Sequence, residues 1–244
     1  MNILITGATS GIGHALTRYY LEQPETTNVI AIGRNEIKLA ELKAGGAKVL
    51  ACDLTEKSAV LALKPKIDAI CDALDIVILN AGGCHYFDAQ HPDTLSDVVK
   101  LGLEQNFLSM VYSVELTLPF LQKNSGRPNL VLMGSLASDF PFTKAEGYGA
   151  SKAAVGYFAK TLAVDYPNIR VQLVQPGFVK TPLTDKNKFD MPFLIEPDAA
   201  VKAITQGIYK NKSLIRFPGL FAIILKLLAC LPVKLQIHLS KKMK

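Results

Sequence analysis

Tyr148 and Lys152 stand four positions apart in the stretch YGASK, with only glycine, alanine and serine between them. On an α-helix, residues at i and i+4 share one face, so a phenol and an ammonium would project side by side. A free tyrosine has a pKa of about 10 and is a poor base at neutral pH. An ammonium within about 4 to 6 Å favours the phenolate, and each pKa unit is worth about 1.4 kcal/mol. The pair is therefore expected to move a proton, with lysine lowering the pKa of tyrosine. A solvated helical pair has the same spacing, so the reading depends on which other groups the fold brings alongside.

A second constellation lies at the amino terminus. TGATSGIG, from Thr6 to Gly13, follows the strand-like NILIT and opens the helical pattern IGHALTRYYLEQ. Glycine permits a tight turn and close approach of the backbone to a ligand, and a helix amino terminus offers unpaired N–H groups and a positive dipole end. The loop of Gly7, Thr9, Ser10, Gly11, Ile12 and Gly13 is thus expected to hold the pyrophosphate of a dinucleotide. In AIGRNE, Arg34 stands where an acid would hydrogen-bond the ribose 2′-hydroxyl of NAD. An arginine there accommodates a 2′-phosphate, which favours NADP, the NADPH couple, over NAD. Glu36 offers the same arginine an alternative partner.

The elements that must position these groups follow from periodicity. Seven short, β-rich apolar runs alternate with longer helical patterns: residues 2–6, 28–33, 47–52, 75–80, 129–135, 170–175 and 213–217. That alternation predicts an α/β chain, a single-domain, Rossmann-like, doubly wound parallel sheet of about seven strands with helices on both faces. Right-handed crossovers bring the carboxyl ends of all strands to one edge, where ligands bind.

The glycines follow G-x-x-x-G-x-G and not G-x-G-x-x-G. With Thr6, Gly7, Gly11, Ile12 and Gly13 matching as they stand, and Tyr148 and Lys152 further on, the chain resembles the short-chain dehydrogenase/reductase family up to about Thr181. The resemblance implies an NAD(P)-dependent oxidoreductase acting on CH-OH/C=O groups, with Tyr148 as general acid/base. It assigns Asp53 and Leu54 to the adenine end of the cofactor and Asn80, Ala81 and Gly82 to the turn after the fourth strand. Leu79 departs from a second asparagine common there. Lys152 would hold the nicotinamide ribose and lower the tyrosine pKa, and Asn106 would hold a water linking that lysine to solvent. Ser135, thirteen positions before Tyr148, would bond the substrate oxygen, and Pro176, Gly177, Val179 and Thr181 would flank the nicotinamide. The alternative is a catalytically silent NADP-sensing regulatory protein, against which Tyr148 and Lys152 stand intact. A homodimer or homotetramer is the assembly implied.

Substrate identity belongs to the segments outside the motifs, and these are apolar. GCHYFD, DFPFTKAEG and PLTDKNKFDMPFLIEP supply His85, Tyr86, Phe87, Phe140, Phe142, Phe189 and Phe193, predicting a pocket for an apolar small-molecule carbonyl or alcohol.

Nearly half of the 244 residues, 49%, are hydrophobic, enough for a large core. The formal charge of +6 is unevenly placed, because the last 46 residues carry nine basic side chains and no acidic one. The four cysteines show no CxxC or Cys/His spacing, so neither a metal site nor a disulfide framework is expected, and a cytoplasmic location fits. The amino terminus enters a strand at once and leaves no room for a secretion signal. Residues 1–218 make the cofactor-binding and catalytic domain, and 219–244 form an apolar, basic extension. Its run GLFAIILKLLACLP is broken by Lys226 and is shorter than the roughly 20 residues that span a bilayer. A lid over the substrate, a subunit contact and a helix on an anionic membrane surface all fit it. Its lysines lack the aromatic or arginine interleaving of a nucleic-acid module. After Pro232, the alternation of Val233, Leu235, Ile237 and Leu239 competes with a helix start, and a helix is expected.

Overall fold

A computed structural model of the chain describes residues 1–187 and 189–242. Seven strands form one sheet: β1 (Asn2–Thr6), β2 (Asn28–Gly33), β3 (Lys48–Ala51), β4 (Ile76–Leu79), β5 (Asn129–Met133), β6 (Arg170–Pro176) and β7 (Leu214–Phe217). Their order is β3-β2-β1-β4-β5-β6-β7 and every pairing is parallel, with Ile5 opposite Ala31 on one side and Ile78 on the other. The chain reverses its direction of travel between β1 and β4, and this switch point opens a crevice at the strands' carboxyl ends.

Successive side chains of a strand point to opposite faces. Leu4, Ile30, Ile32, Val77, Leu79, Leu130, Leu132, Val171 and Leu173 therefore share one buried face. Against it lie α3 (Lys57–Leu61), α4 (Lys64–Asp68), α6 (Ser109–Gln122) and α7 (Glu146–Asp165), through Val60, Ile67, Phe120 and Val155. Ile3, Ile5, Ala31, Ile78, Val131, Val174 and Ile215 face the other way. They meet α1 (Gly11–Leu21) through Leu16, α2 (Glu36–Ala44) through Leu42 and α8 (Pro197–Tyr209) through Ile204.

Two local features place the site. α5 (Leu95–Leu103) runs through a π-helical turn at Glu104–Leu108 into α6, and this wide turn carries Asn106. α5 also crosses the start of α7 glycine to glycine: a Cβ on Gly102 would lie 2.9 Å from the Gly147 carbonyl carbon, and one on Gly147 2.7 Å from the Val98 oxygen. That backbone-to-backbone contact fixes the first turn of α7, where Tyr148 sits.

The segment after β7 is two helices, α9 (Gly219–Ala229) and α10 (Val233–Lys242). α10 is the helix expected after Pro232; Met243 and Lys244 of the extension lie outside the described residues. Phe221, Ala222 and Leu225 of α9 pack with Leu136 and Phe140 in a third apolar cluster, joined by Phe142, Phe178, Leu228 and Leu239. Among the described residues, no helix is long and apolar enough to cross a membrane.

Candidate active site

β1 ends in a loop that tolerates little but glycine. Gly7 and Gly11 adopt positive φ, +66° and +52°, and a Cβ on Gly13 would lie 2.3 Å from the Gly7 oxygen. The neighbouring turn is bolted on: Asn80 N–H and Ala81 N–H donate to Thr6 Oγ1 at 3.0 and 3.2 Å, and Asn80 Nδ2 donates to the Thr6 oxygen at 3.3 Å. The first turn of α1 has no side-chain cap at Ser10, leaving its N–H groups to an external acceptor.

Two adjoining cavities share this loop. One, about 410 Å³, is lined by Gly7, Thr9, Ser10, Arg34, Asp53, Leu54, Ala81 and Gly82. Arg34 stands 3.6 Å from Asp53, so its acidic neighbour is Asp53 and not Glu36. Hydrogen bonds from the Thr55 N–H lead the causes that hold the Asp53 carboxyl below its usual range. The other cavity, about 780 Å³, contains Gly7, Ser10, Gly11, Ile12, Asn80, Ala81, Gly82, Asn106, Ser135, Tyr148, Lys152, Pro176, Gly177, Val179 and Thr181 in its lining. Every residue assigned to the cofactor from sequence thus faces one of the two cavities, except Gly13. That glycine packs behind the loop and lets Gly7 and α1 come together.

The acid/base group is compact. Ser135 lies two residues beyond the end of β5, in extended conformation, with its Oγ accepting from the Ala137 N–H at 3.1 Å. Lys152 is 4% exposed and donates to the Met133 oxygen at 2.9 Å. Its Nζ is 5.9 Å from the centroid of the Tyr148 ring. Asn106 is fully buried, accepts from the Gly83 N–H at 2.8 Å and donates to Ser151 Oγ at 3.0 Å. Ser151 Oγ in turn donates to the backbone carbonyl oxygen of Tyr148 at 2.8 Å. Asn106 therefore ties the loop after β4 to the helix that carries the tyrosine.

The electrostatics correct the expectation that lysine lowers the tyrosine pKa. Burial pushes Tyr148 up to about 12, against a smaller downward pull from Ser135. Burial also brings Lys152 down to about 8. Desolvation is the largest cause of both shifts.

The substrate assignments need revision as well. Tyr86, Phe142 and Phe189 line the larger cavity, but His85, Phe140 and Phe193 do not, and neither does Phe87. His85 is engaged with Gln105 Oε1 at 3.1 Å. Phe140 is core, 2% exposed, and Phe193 lies outside the cavity, stacked on Phe221 at 5.5 Å. Cys84, Phe178, Phe221 and Leu225 line the wall unanticipated. The apolar run at Gly219 was the available signal for the last two. Among the described residues no cluster of three or more His, Cys, Asp or Glu side chains is placed to hold a metal, and the four cysteines are free.

A doubly wound sheet whose switch-point crevice holds a glycine loop, serine, tyrosine and lysine defines a Rossmann-like oxidoreductase. The chain belongs to the short-chain dehydrogenase/reductase family: the short chain dehydrogenase profile matches residues 1–191. It is 31% identical over 237 residues to an uncharacterized oxidoreductase of Myxococcus xanthus, covering 94% of this chain and 92% of that one. It is 30% identical over 222 residues to a benzil reductase ((S)-benzoin forming) of Saccharomyces cerevisiae, covering 87% and 84%. An NADP-dependent 3-hydroxy acid dehydrogenase of Escherichia coli (strain K12) is 30% identical over 185 residues, 73% of each chain. In fold it is similar to a short-chain dehydrogenase from Streptomyces avermitilis, with a TM-score of 0.82 at 21% identity over 99% of this chain and 98% of that one. A short-chain dehydrogenase from Sphingobium yanoikuyae in complex with NADPH gives 0.77 at 22% identity, over 95% and 96%. The chain is accordingly an oxidoreductase acting on CH-OH/C=O groups, and the silent-sensor alternative gains no support.

Proposed function

We propose that this enzyme is an NADPH-dependent reductase of a carbonyl on an apolar small molecule, equally a dehydrogenase of the corresponding secondary alcohol, with Tyr148 as general acid/base. The observation that carries the reading is one cavity shared by Ser135, Tyr148 and Lys152 with Phe142, Phe178, Phe189, Phe221 and Leu225. Arg34 beside the smaller cavity, and a relative named for NADP, support the choice of cofactor.

A nicotinamide dinucleotide, when bound, supplies hydride to the carbonyl carbon or accepts it in reverse. The bare cradle of Gly7 and Gly11 and the uncapped start of α1 fit its pyrophosphate, and Arg34 would meet the 2′-phosphate. Ser135 donates a hydrogen bond to the substrate oxygen, and Tyr148 delivers its phenolic proton there as charge develops. Lys152 stabilises the phenolate that remains. Asn106 holds the loop after β4 against α7 so that tyrosine and lysine keep their places. The aromatic wall excludes water from the carbonyl and selects apolar substrates. The enzyme would work as a homo-oligomer in the cytoplasm; the outer face of α7 leaves Tyr157 and Val164 more than 70% exposed for such a contact.

The test is Tyr148→Phe, read by NADPH fluorescence titration and by turnover of aromatic and aliphatic ketones at the nicotinamide absorbance. NADPH affinity should be unchanged while turnover falls about 10² to 10⁴-fold. Wild-type-like turnover in the variant, or tight NADPH binding with no turnover of any carbonyl by the wild type, refutes the reading.

A further inference from the structure

α9 is apolar on two faces. Phe221, Ala222, Leu225 and Leu228 form the stripe that packs inward, and Phe221 and Leu225 reach the substrate cavity. The residues between them, Leu220, Ile223, Ile224 and Leu227, follow the i, i+3, i+4, i+7 spacing of a second stripe and are 60%, 58%, 37% and 65% exposed. A helix of one soluble domain ordinarily buries its apolar stripe and shows polar residues outside. On α10, Val233, Leu235 and Ile237 are likewise 69%, 48% and 46% exposed. Phe193, 43% exposed, stacks on Phe221 of the inner stripe.

Charge identifies what covers it. Lys226, Lys234, Lys241 and Lys242 are exposed around the stripe, and none of them forms an ion pair among the described residues. No acidic residue follows Asp198. A second copy meeting this face through a two-fold axis would set lysines against lysines with no carboxylate on α9 or α10 to pair them. An anionic lipid surface presents apolar chains to the stripe and negative headgroups to the lysines.

We infer that α9 and α10 dock the enzyme on an anionic membrane surface, with the apolar stripe in the interface and the inner face of the same helix forming the wall of the substrate cavity. A lipophilic carbonyl dissolved in the bilayer then enters along α9 without crossing water, which deepens the proposed reading of the substrate as apolar. The docking itself does not depend on turnover, so its test uses binding alone.

The full-length protein is sedimented at low salt with vesicles of phosphatidylcholine alone and of phosphatidylcholine mixed with phosphatidylglycerol. Two variants, Ile223→Asp/Leu227→Asp and Lys226→Gln/Lys234→Gln/Lys241→Gln, are compared after circular dichroism shows them folded, and the mass in solution of each protein is measured in parallel. The wild type should pellet with the anionic vesicles, and both variants should lose affinity by about tenfold or more, since each lysine near such a surface contributes about fivefold. Absence of anionic-vesicle binding by the wild type overturns the inference, as does equal binding to both kinds of vesicle. A wild-type dimer that Ile223→Asp/Leu227→Asp dissociates, without any vesicle binding, also overturns it and assigns the stripe to a second copy.

Discussion

Lys152 is a buried ammonium, and the fold should be more stable without it. It is 4% exposed, and burial lowers its pKa from 10.5 to about 8. Keeping it charged at pH 7 therefore destabilises the folded state by about 3 kcal/mol. Lys152→Met removes that burden and loses the 2.9 Å hydrogen bond to the Met133 oxygen, which offsets about 1 to 2 kcal/mol. A net gain of about 1 to 2 kcal/mol is expected at pH 7, with turnover lost. The sign of the pH dependence distinguishes this origin from better packing. Between about pH 8 and 10.5 the unfolded lysine binds more protons than the folded one, so wild-type stability from this group rises with pH and is lost as pH falls through 8. The variant's advantage should therefore shrink by about 2 kcal/mol on going from pH 7 to about pH 9.5. Urea unfolding followed by circular dichroism at both pH values measures it. Tyr20 and Tyr86, which burial holds protonated in the folded state, cancel in the comparison because both proteins carry them. A difference between the two proteins that stays constant over this range would refute the argument.

Arg34→Gln should raise KM for NADPH by about tenfold and leave KM for NADH unchanged, a modest factor because the guanidinium is 68% exposed; steady-state kinetics with both cofactors read the ratio. Gly13→Ala would set a Cβ 2.3 Å from the Gly7 oxygen, so the loop must open. Thermal unfolding should show a loss of about 2 kcal/mol or more, and fluorescence titration a loss of NADPH binding. Asp139 pairs with Arg216, whose Nε donates to Gln175 Oε1 at 2.7 Å; Gln175 donates to Ser138 Oγ at 2.8 Å, and Ser138 to the Ser135 oxygen at 2.7 Å. Asp139→Asn should loosen this clamp on the Ser135 turn and lower kcat about tenfold while NADPH affinity holds; equal loss of both would indicate general unfolding instead.

The strands were legible because β-branched runs bounded by glycine and polar residues have few other uses in a chain of this pattern, and their ends moved by only a few residues. β5, expected to reach Ser135, stops at Met133, since Ser135 leaves the ladder to cap a short 3₁₀ turn at Leu136–Ser138. The π-helical turn at Asn106 has no sequence signal, because it forms where α5 and the turn itself pack on α7. Aromatic residues were the least legible. Phe140 and Phe142 are two positions apart, yet one is core and the other lines the cavity, and ring hydrophobicity is the same in both settings. Phe221 and Leu225 reach the cavity from beyond the motif-bearing part of the chain, so no family pattern could assign them. The tyrosine pKa is illegible for a related reason: spacing reveals the neighbouring ammonium, while the desolvation that raises the pKa depends on burial by the folded chain.

The corrected ionisation also bears on direction. A phenol whose pKa is about 12 keeps its proton at neutral pH, the state that reduction of a carbonyl requires. Oxidation of an alcohol begins from the phenolate, a fraction of about 10⁻⁵ at pH 7 for such a group. The kcat/KM for the cofactor, which reports ionisations of the free enzyme, should then be level below about pH 8 in the reductive direction. Above that it should fall as Lys152 loses the charge that stabilises the developing phenolate. In the oxidative direction it should climb with pH through neutrality. A lysine that lowered the tyrosine toward pH 7 would move the fall of the first profile down to about pH 7 and level the second above that pH, so the two curves together decide whether burial or the ammonium sets the protonation of Tyr148.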